Sequence, residues 1–477
     1  MTNPDEIIGP ILFLDEMRDT HLDLAALFVT APGEWPGPIE AEGQDIAPER
    51  IADYDAGTVW RARFVLPCAA GACYRWNGSK YTLAAGFEGD LRLAYVSCNG
   101  EETGDMERAA SERNAMWARL AAEHERAPFA LLLHGGDQLY ADEVTEGHPL
   151  CHDWPDRPPR DPSRADLADL RRHLRERFFA RYAALYRAPQ FAWLAARVPS
   201  IMQWDDHDIC DGWGSLPRSR TYSPVGQCLF EAARESFLVF QHAARDGDLP
   251  ARFTDPGGAH LGWVVRRGDL RIIAPDLRSE RTRRRIMGDG GWRMMRAEAT
   301  RAQEGQSLLM SSVPLLGPRL SLLERIMVVV PRMQKYEDDL RDQWQSRAHR
   351  DEWKQMLRLV RDMAQRTGHD IAAISGEIHL ATRAVMDLGE GLHLHQLVAS
   401  GIAHRAPPVM WARALDLLSR LGEDPLQGHP ITIERIAGQR RHYVAERNYL
   451  VLSRVAGQWQ AEWELEQSGR SAPLAIT

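Results

Sequence analysis

The chain has 477 residues, 44% of them hydrophobic and 26% charged. That is ordinary for a soluble globular protein, and long enough for two domains or for one large domain with an appendage. Acidic residues (67) outnumber basic ones (58), a formal net charge of -9, which argues against a general binder of nucleic acids or anionic membranes.

The first residues, Met1 to Glu6, carry no basic n-region and no twin-arginine pair, so no signal peptide is expected. The most apolar stretches, such as Ile326-Met327-Val328-Val329-Val330, are too short to span a bilayer. Cys68, Cys73, Cys98, Cys151, Cys210 and Cys228 read as free thiols of a cytoplasmic protein.

From about residue 7 to 89 the pattern is β-rich. Ile11-Leu12-Phe13, Thr58 to Leu66 and Tyr74-Arg75-Trp76 cluster or alternate as strands do, with Gly, Pro and Asn77-Gly78 between them. A small β-sandwich-like domain over 1–89 is expected, followed by a larger catalytic domain over 90–477. From Leu91 strands alternate with helices. Helices are expected over 106–125, 167–186 and 230–244, with a charged helical stretch over 336–366. A hairpin is expected around Arg267-Gly268, and strands return at 393–398, 431–436, 442–455 and 459–466. The expected class is α/β, two sheets packed together with helices outside.

Four polar strings stand directly after apolar runs: Tyr95-Val96-Ser97-Cys98-Asn99, His134 to Asp142, Trp204-Asp205-Asp206-His207-Asp208 and Ser375-Gly376-Glu377-Ile378-His379. A short apolar run reads as a buried strand, and sites of α/β sheets lie past the carboxyl ends of strands. Gly136-Asp137 allows tight backbone passage and projects a carboxylate able to bridge two hard cations. Tyr140 fits a phenolate ligand of a hard trivalent ion, or a packed aromatic. Asp205, Asp206, His207 and Asp208 would repel one another at a buried strand end unless cations neutralise them. Glu377 and His379 share one side of an extended segment. Cys98 fits a thiolate ligand or a buried small hydrophobe. Asp276-Leu277-Arg278 reads equally as a structural ion pair or as a guanidinium fork for an anionic group. No Gly-x-Gly-x-x-Gly follows a strand and no Gly-Lys-Ser/Thr occurs, so dinucleotide and P-loop chemistry are unsupported.

Taken together, Ser97-Cys98, Gly136-Asp137 through Asp142, Trp204 through Asp208, Asp276-Leu277-Arg278 and Ser375 through His379 resemble, in order, the motifs of the alkaline phosphatase D family of calcineurin-like metallophosphoesterases. The resemblance covers roughly residues 55–465. It implies a two-sheet metallophosphoesterase sandwich, and a metal-activated hydroxide attacking a phosphate ester in line. Asp137 would bridge two metals, and Tyr140 and Cys98 would complete an Fe(III)-like site. Asp206 sits where the wider superfamily has an Asn ligand, and His207 where it has the proton donor to the leaving group. Glu377 and His379 would bind a second ion of Ca2+ or Mn2+ type; read as the guanidinium fork, Arg278 joins His207 as a candidate catalytic residue. The family usually has Asp where this chain has Glu377; the extra methylene shifts the carboxylate by about a bond length. The expected partner is a small phosphorylated substrate, without a stable nucleic-acid complex or membrane attachment. The competing reading is a non-catalytic or regulatory binding protein on the same scaffold. Residues 308–331, apolar and broken by proline, are expected either to cover the site or to pack at a subunit contact.

Overall fold

Short, almost wholly apolar segments build the centre of the molecule as parallel strands buried on both faces. The computed structural model describes residues 7–318 and 342–476. In the first sheet β9 (Leu91–Val96), β10 (Leu131–Gly135) and β11 (Ser200–Gln203) lie side by side and parallel. Leu133 is paired with Tyr95 on one side and Ile201 on the other. In the second sheet β13 (Leu270–Ala274), β14 (Gln306–Met310), β15 (Ile371–Ser375) and β17 (Leu392–Val398) repeat the arrangement. β12 (Trp263–Arg267) forms the expected hairpin with β13. β16 (Ala381–Gly389) extends the far side together with β18 (Glu423–Leu426), β19 (His429–Glu434) and β20 (Tyr443–Val444).

The period of two along these strands divides the core. Leu308 and Met310 of β14, and Ala372 and Ile374 of β15, join the apolar cluster shared with the first sheet. Leu309, Ile371 and Ala373 point the other way, against the helices Asp289–Thr300 and Arg350–Thr367. Two indoles bridge the sheets: Trp263 Nε1 donates to the Met202 carbonyl and Trp463 Nε1 to that of Val398, both at 2.8 Å. The outer face of the first sheet is covered by the helices Arg164–Tyr186 and Pro224–His242. The former starts three residues before the expected position, because Ser163 and Asp166 close a capping box.

The expected division at residue 89 is not a division between sheets. β1 (Ile8–Met17) pairs parallel with β11, and β2 (His21–Thr30), β6 (Gly57–Pro67) and β5 (Glu49–Tyr54) continue the same sheet outward. β3 (Ile39–Ala41), β4 (Gln44–Ile46), β7 (Ala70–Trp76) and β8 (Ser79–Ala84) form a separate small sheet. On the other edge β21 (Asn448–Val455) and β22 (Gln458–Leu465) close over β9. Within the stretch expected to be helical over 336–366, the described helix is Arg350–Thr367, and 336–341 lie outside the described residues. Of residues 308–331, Leu308 to Met310 finish β14, Val313, Leu315 and Leu316 are buried, and 319–331 lie outside the described residues. Among the described residues no helix is long and apolar enough to cross a membrane.

Candidate metal centre

The four strings meet where the parallel strands of both sheets end. Cys98, Asp137, Asp205 and Glu377 each stand two residues past the last residue of β9, β10, β11 and β15. Two glycines let the loops close on one another. Gly136 has φ +110°, and a Cβ there would lie 2.7 Å from the Asp205 Cβ. A Cβ on Gly376 would lie 2.2 Å from Ser97 Oγ, so this glycine brings the second sheet's loop against the first. Cys98, Asp137, Glu377 and His379 all have φ between +53° and +67°. Non-glycine residues there cost about 1–3 kcal/mol each and persist only where the surroundings over-determine them.

What over-determines them is a set of buried hydrogen bonds. Asp208 accepts from the backbone N–H of Asp137 (3.0 Å), Leu139 (3.1 Å) and Asp205 (2.9 Å), and from Gln241 Nε2 (2.8 Å). It therefore staples the β10 loop to the β11 loop. Ser400, just past β17, lies 3.1 Å from Cys98 Sγ and accepts the His379 N–H at 2.8 Å.

Two groups of donors share one residue. The atoms of Asp137, Asp205 and Asp206 lie within 4.8 Å of one another, and so do those of Cys98, Asp137 and His379. The Tyr140 hydroxyl is 2.9 Å from His379 Nε2, which adds a phenol to the second group. Burial, and then the neighbouring Asp205 carboxylate, raise Asp137 well above the usual carboxylate range. Burial pushes Asp205 up to about 6 and Asp208 up to about 7. Among the described residues Asp137 Oδ1, Asp205 Oδ2 and Asp206 Oδ1 are buried and accept no hydrogen bond, although the last lies 3.4 Å from Arg278 Nη2. Such orphaned oxygens are costly unless a cation meets them. The residues fit metal ions: an all-oxygen set for a hard cation and a sulfur, nitrogen and oxygen set for iron or a similar ion.

His207 is stacked on Tyr140, ring centroids 4.4 Å apart, and its Nδ1 is 2.9 Å from Asp142 Oδ2. Burial opposes its charge, but the Asp142 and Asp206 carboxylates outweigh burial and raise it well above its usual range. Asp142 also accepts the Asp211 N–H at 2.7 Å, so it fixes both the ring and the following loop.

Two expected site residues are placed differently. Arg278 is fully buried, and its donors are taken. Nε meets Asp205, Nη1 donates to Asp342 Oδ1 and to the Trp213 carbonyl at 2.9 Å each, and Nη2 meets Asp342 and, at 3.4 Å, Asp206. A substrate fork has no free edge here; the arginine instead orients the carboxylates of the centre. Glu377 stands outside the donor groups of the described residues. Gln343 Nε2 reaches both of its oxygens, at 2.8 and 2.7 Å. Sequence reasoning took Asp205 and Asp208 only as members of a run needing cations, not as a named donor and a staple, and passed over Asp142 as the partner of His207 and Asp342 as the partner of Arg278. For the first three, the only signal was membership in the strings.

The PhoD related phosphatase family model matches residues 70–336. The uncharacterized protein YGR266W of Saccharomyces cerevisiae is 23% identical over 355 residues, which cover 60% of this chain and 49% of that protein. The chain thus spans about half the length of the curated relative it matches. Among solved structures, one of PhoD gives a TM-score of 0.57 at 12% identity, covering 98% of this chain and 89% of that one, and shows a shared fold. A dimetal phosphatase from Danio rerio gives 0.35 at 10% identity, covering 81% and 98%. With a family match over more than half of its length, the chain belongs to the PhoD related phosphatases.

Proposed function

We propose that this chain is a metal-dependent phosphoesterase acting on a small phosphorylated substrate at the Asp137 centre. The observation that carries this reading is that one buried carboxylate belongs to two adjacent donor groups, as a bridging ligand requires. Asp205 and Asp206 would hold a hard cation of Ca2+ or Mn2+ type with Asp137. Cys98, Tyr140 and His379 would hold an Fe(III)-type ion with the same residue. Bound there, the pair supplies Lewis acidity to the phosphoryl oxygens and a nucleophile from water at neutral pH.

The protein's own residues then have distinct tasks. His207 has Nδ1 on Asp142, which keeps Nε2 for giving a proton to the departing oxygen. Arg278 holds Asp205 in place without touching substrate. Asp208 keeps the two loops in register. Six free cysteines support a reducing compartment such as the cytoplasm.

The test is metal content and a visible spectrum of protein purified without chelator, followed by hydrolysis of p-nitrophenyl phosphate and its bis-ester. One iron per chain and a broad band lost in Tyr140→Phe are expected. Asp137→Ala should lower kcat/KM by about 10^3-fold or more, since a metal supplies several kcal/mol of transition-state stabilisation. No stoichiometric metal, and no hydrolysis after adding Fe, Mn or Ca, would sink the reading. A regulatory binding protein would then stand, favoured by the Gln343 amide held on Glu377.

A further inference from the structure

Against the loops that carry Cys98 and Asp137 lies a small cavity that the phosphoesterase reading does not use. Its volume is about 20 Å3, and Asn99, Asp105, Arg113, Asn114, Gln138 and Arg181 supply the polar part of its lining. About 10–15 Å3 already holds a water, so one small guest fits and a phosphate does not. Asn99 and Gln138 directly follow Cys98 and Asp137 in the chain, and Arg181 comes from the helix Arg164–Tyr186.

Donors crowd this cavity. Among the described residues Asn99 Nδ2, Gln138 Nε2, Arg181 Nε and Arg181 Nη1 are buried and donate no hydrogen bond. Such unmet groups are costly. Trp117 orients the Asn99 amide, its Nε1 donating to Oδ1 at 2.8 Å, so Nδ2 is the end left over. Gln138 is 1% exposed, and neither end of its amide is paired. Arg181 uses Nη2, on the Tyr140 carbonyl at 3.1 Å and on Asp105 at 3.4 Å. Asp105 is the carboxylate of the lining, and it is shared with Arg108 at 3.1 Å and Arg113 at 3.8 Å. Arg113 and Arg181 against Asp105 leave the lining one positive charge in excess. Burial lowers Arg181 from its ordinary range in spite of the carboxylates around it. A water must donate as well as accept, and the unpartnered side-chain acceptor of the lining is Gln138 Oε1. A monoanion only accepts, and it carries the missing charge.

We propose that this cavity binds one monoanion of chloride size, held by Asn99, Gln138 and Arg181. The ion ties the helix Arg164–Tyr186 to the residues that follow Cys98 and Asp137, both of which stand at positive φ. It thereby stabilises the loops of the centre without touching the donors themselves.

The test is an anomalous map from a crystal of the full chain soaked in bromide, together with melting in chloride against gluconate at equal ionic strength. A bromide peak between Gln138 and Arg181 is expected, with a melting temperature about 1–3 °C higher in chloride. Gln138→Met keeps the bulk and removes the amide, so the melting difference should vanish, which separates this site from halide held by metal at the Asp137 centre. A peak without a melting difference in wild type would mean an adventitious ion only, and a difference without a peak a general salt effect; each overturns the site. So does a difference that Gln138→Met keeps, and so does the absence of both peak and difference, which leaves the cavity to water. Should the variant not fold, the wild-type map and melts decide. Neither measurement reads hydrolysis, so this site and the phosphoesterase reading stand or fall separately.

Discussion

The two sheets bring equivalent positions to the centre but use them differently. In the first sheet, the residues two past β9, β10 and β11 are Cys98, Asp137 and Asp205, and all three belong to the donor groups. In the second, the residue two past β15 is Glu377, and its carboxylate is held by the Gln343 amide. Three adjacent parallel strands end side by side at about 4.8 Å spacing, so their loops converge without help. The second sheet must reach across, and among the described residues it is the longer excursion to His379 that joins a donor group with Asp137. Converging strand ends thus supply most of a site, and the facing sheet adds one residue and a set of clamps.

The largest test of this contrast is Arg278→Met. If the arginine clamps the carboxylates of the first sheet, its loss leaves Asp205 buried without its cationic partner, while Asp342 keeps Arg281 at 3.1 Å. Stability should then fall by about 3–5 kcal/mol in urea unfolding. A fall in kcat/KM at unchanged stability would instead make Arg278 a substrate contact and blur the contrast. Next is Asp208→Ala, which strips the acceptor from three buried N–H groups. Metal affinity at the Asp137 centre should weaken by about 10- to 100-fold, as for other positioning partners, with about 1–3 kcal/mol of stability lost. Isothermal titration with Mn2+ reads the first and chemical denaturation the second. The smallest effect is expected from Gln343→Ala. Freed from the amide, Glu377 can turn toward the oxygen-rich group, and an added carboxylate should tighten Ca2+ binding by about tenfold or less. Unchanged binding would mean that Glu377 lies out of reach and that the asymmetry is built into the backbone.

Much of this was legible in the chain because strands and their loop residues are local in sequence. Apolar runs marked β9, β10, β11 and β15, and the strings after them carried Cys98, Asp137, Tyr140, Asp206, His207 and His379. Non-local relations left no such trace. β1 pairs with β11 across most of 200 residues, so its membership in the first sheet could not be read from its alternation. Within the run Asp205 to Asp208, four adjacent polar residues face different ways once a short 3-10 turn begins at Asp206. Only the backbone decides that Asp205 faces the donors while Asp208 turns back to the loops. Asp342 and Gln343 reach the centre from a segment with no motif at all.

The closure of β9 by β21 bears on how the chain is made. β9 emerges early, and its antiparallel partner follows roughly 350 residues later. At 5–20 residues per second that is roughly 20–70 s of synthesis. Throughout it, an apolar strand edge next to the Cys98 loop is open to pairing with another chain. Ribosome-bound intermediates should therefore engage holdase chaperones until Trp463 has hooked onto Val398, and chains cut before residue 448 should aggregate instead of folding.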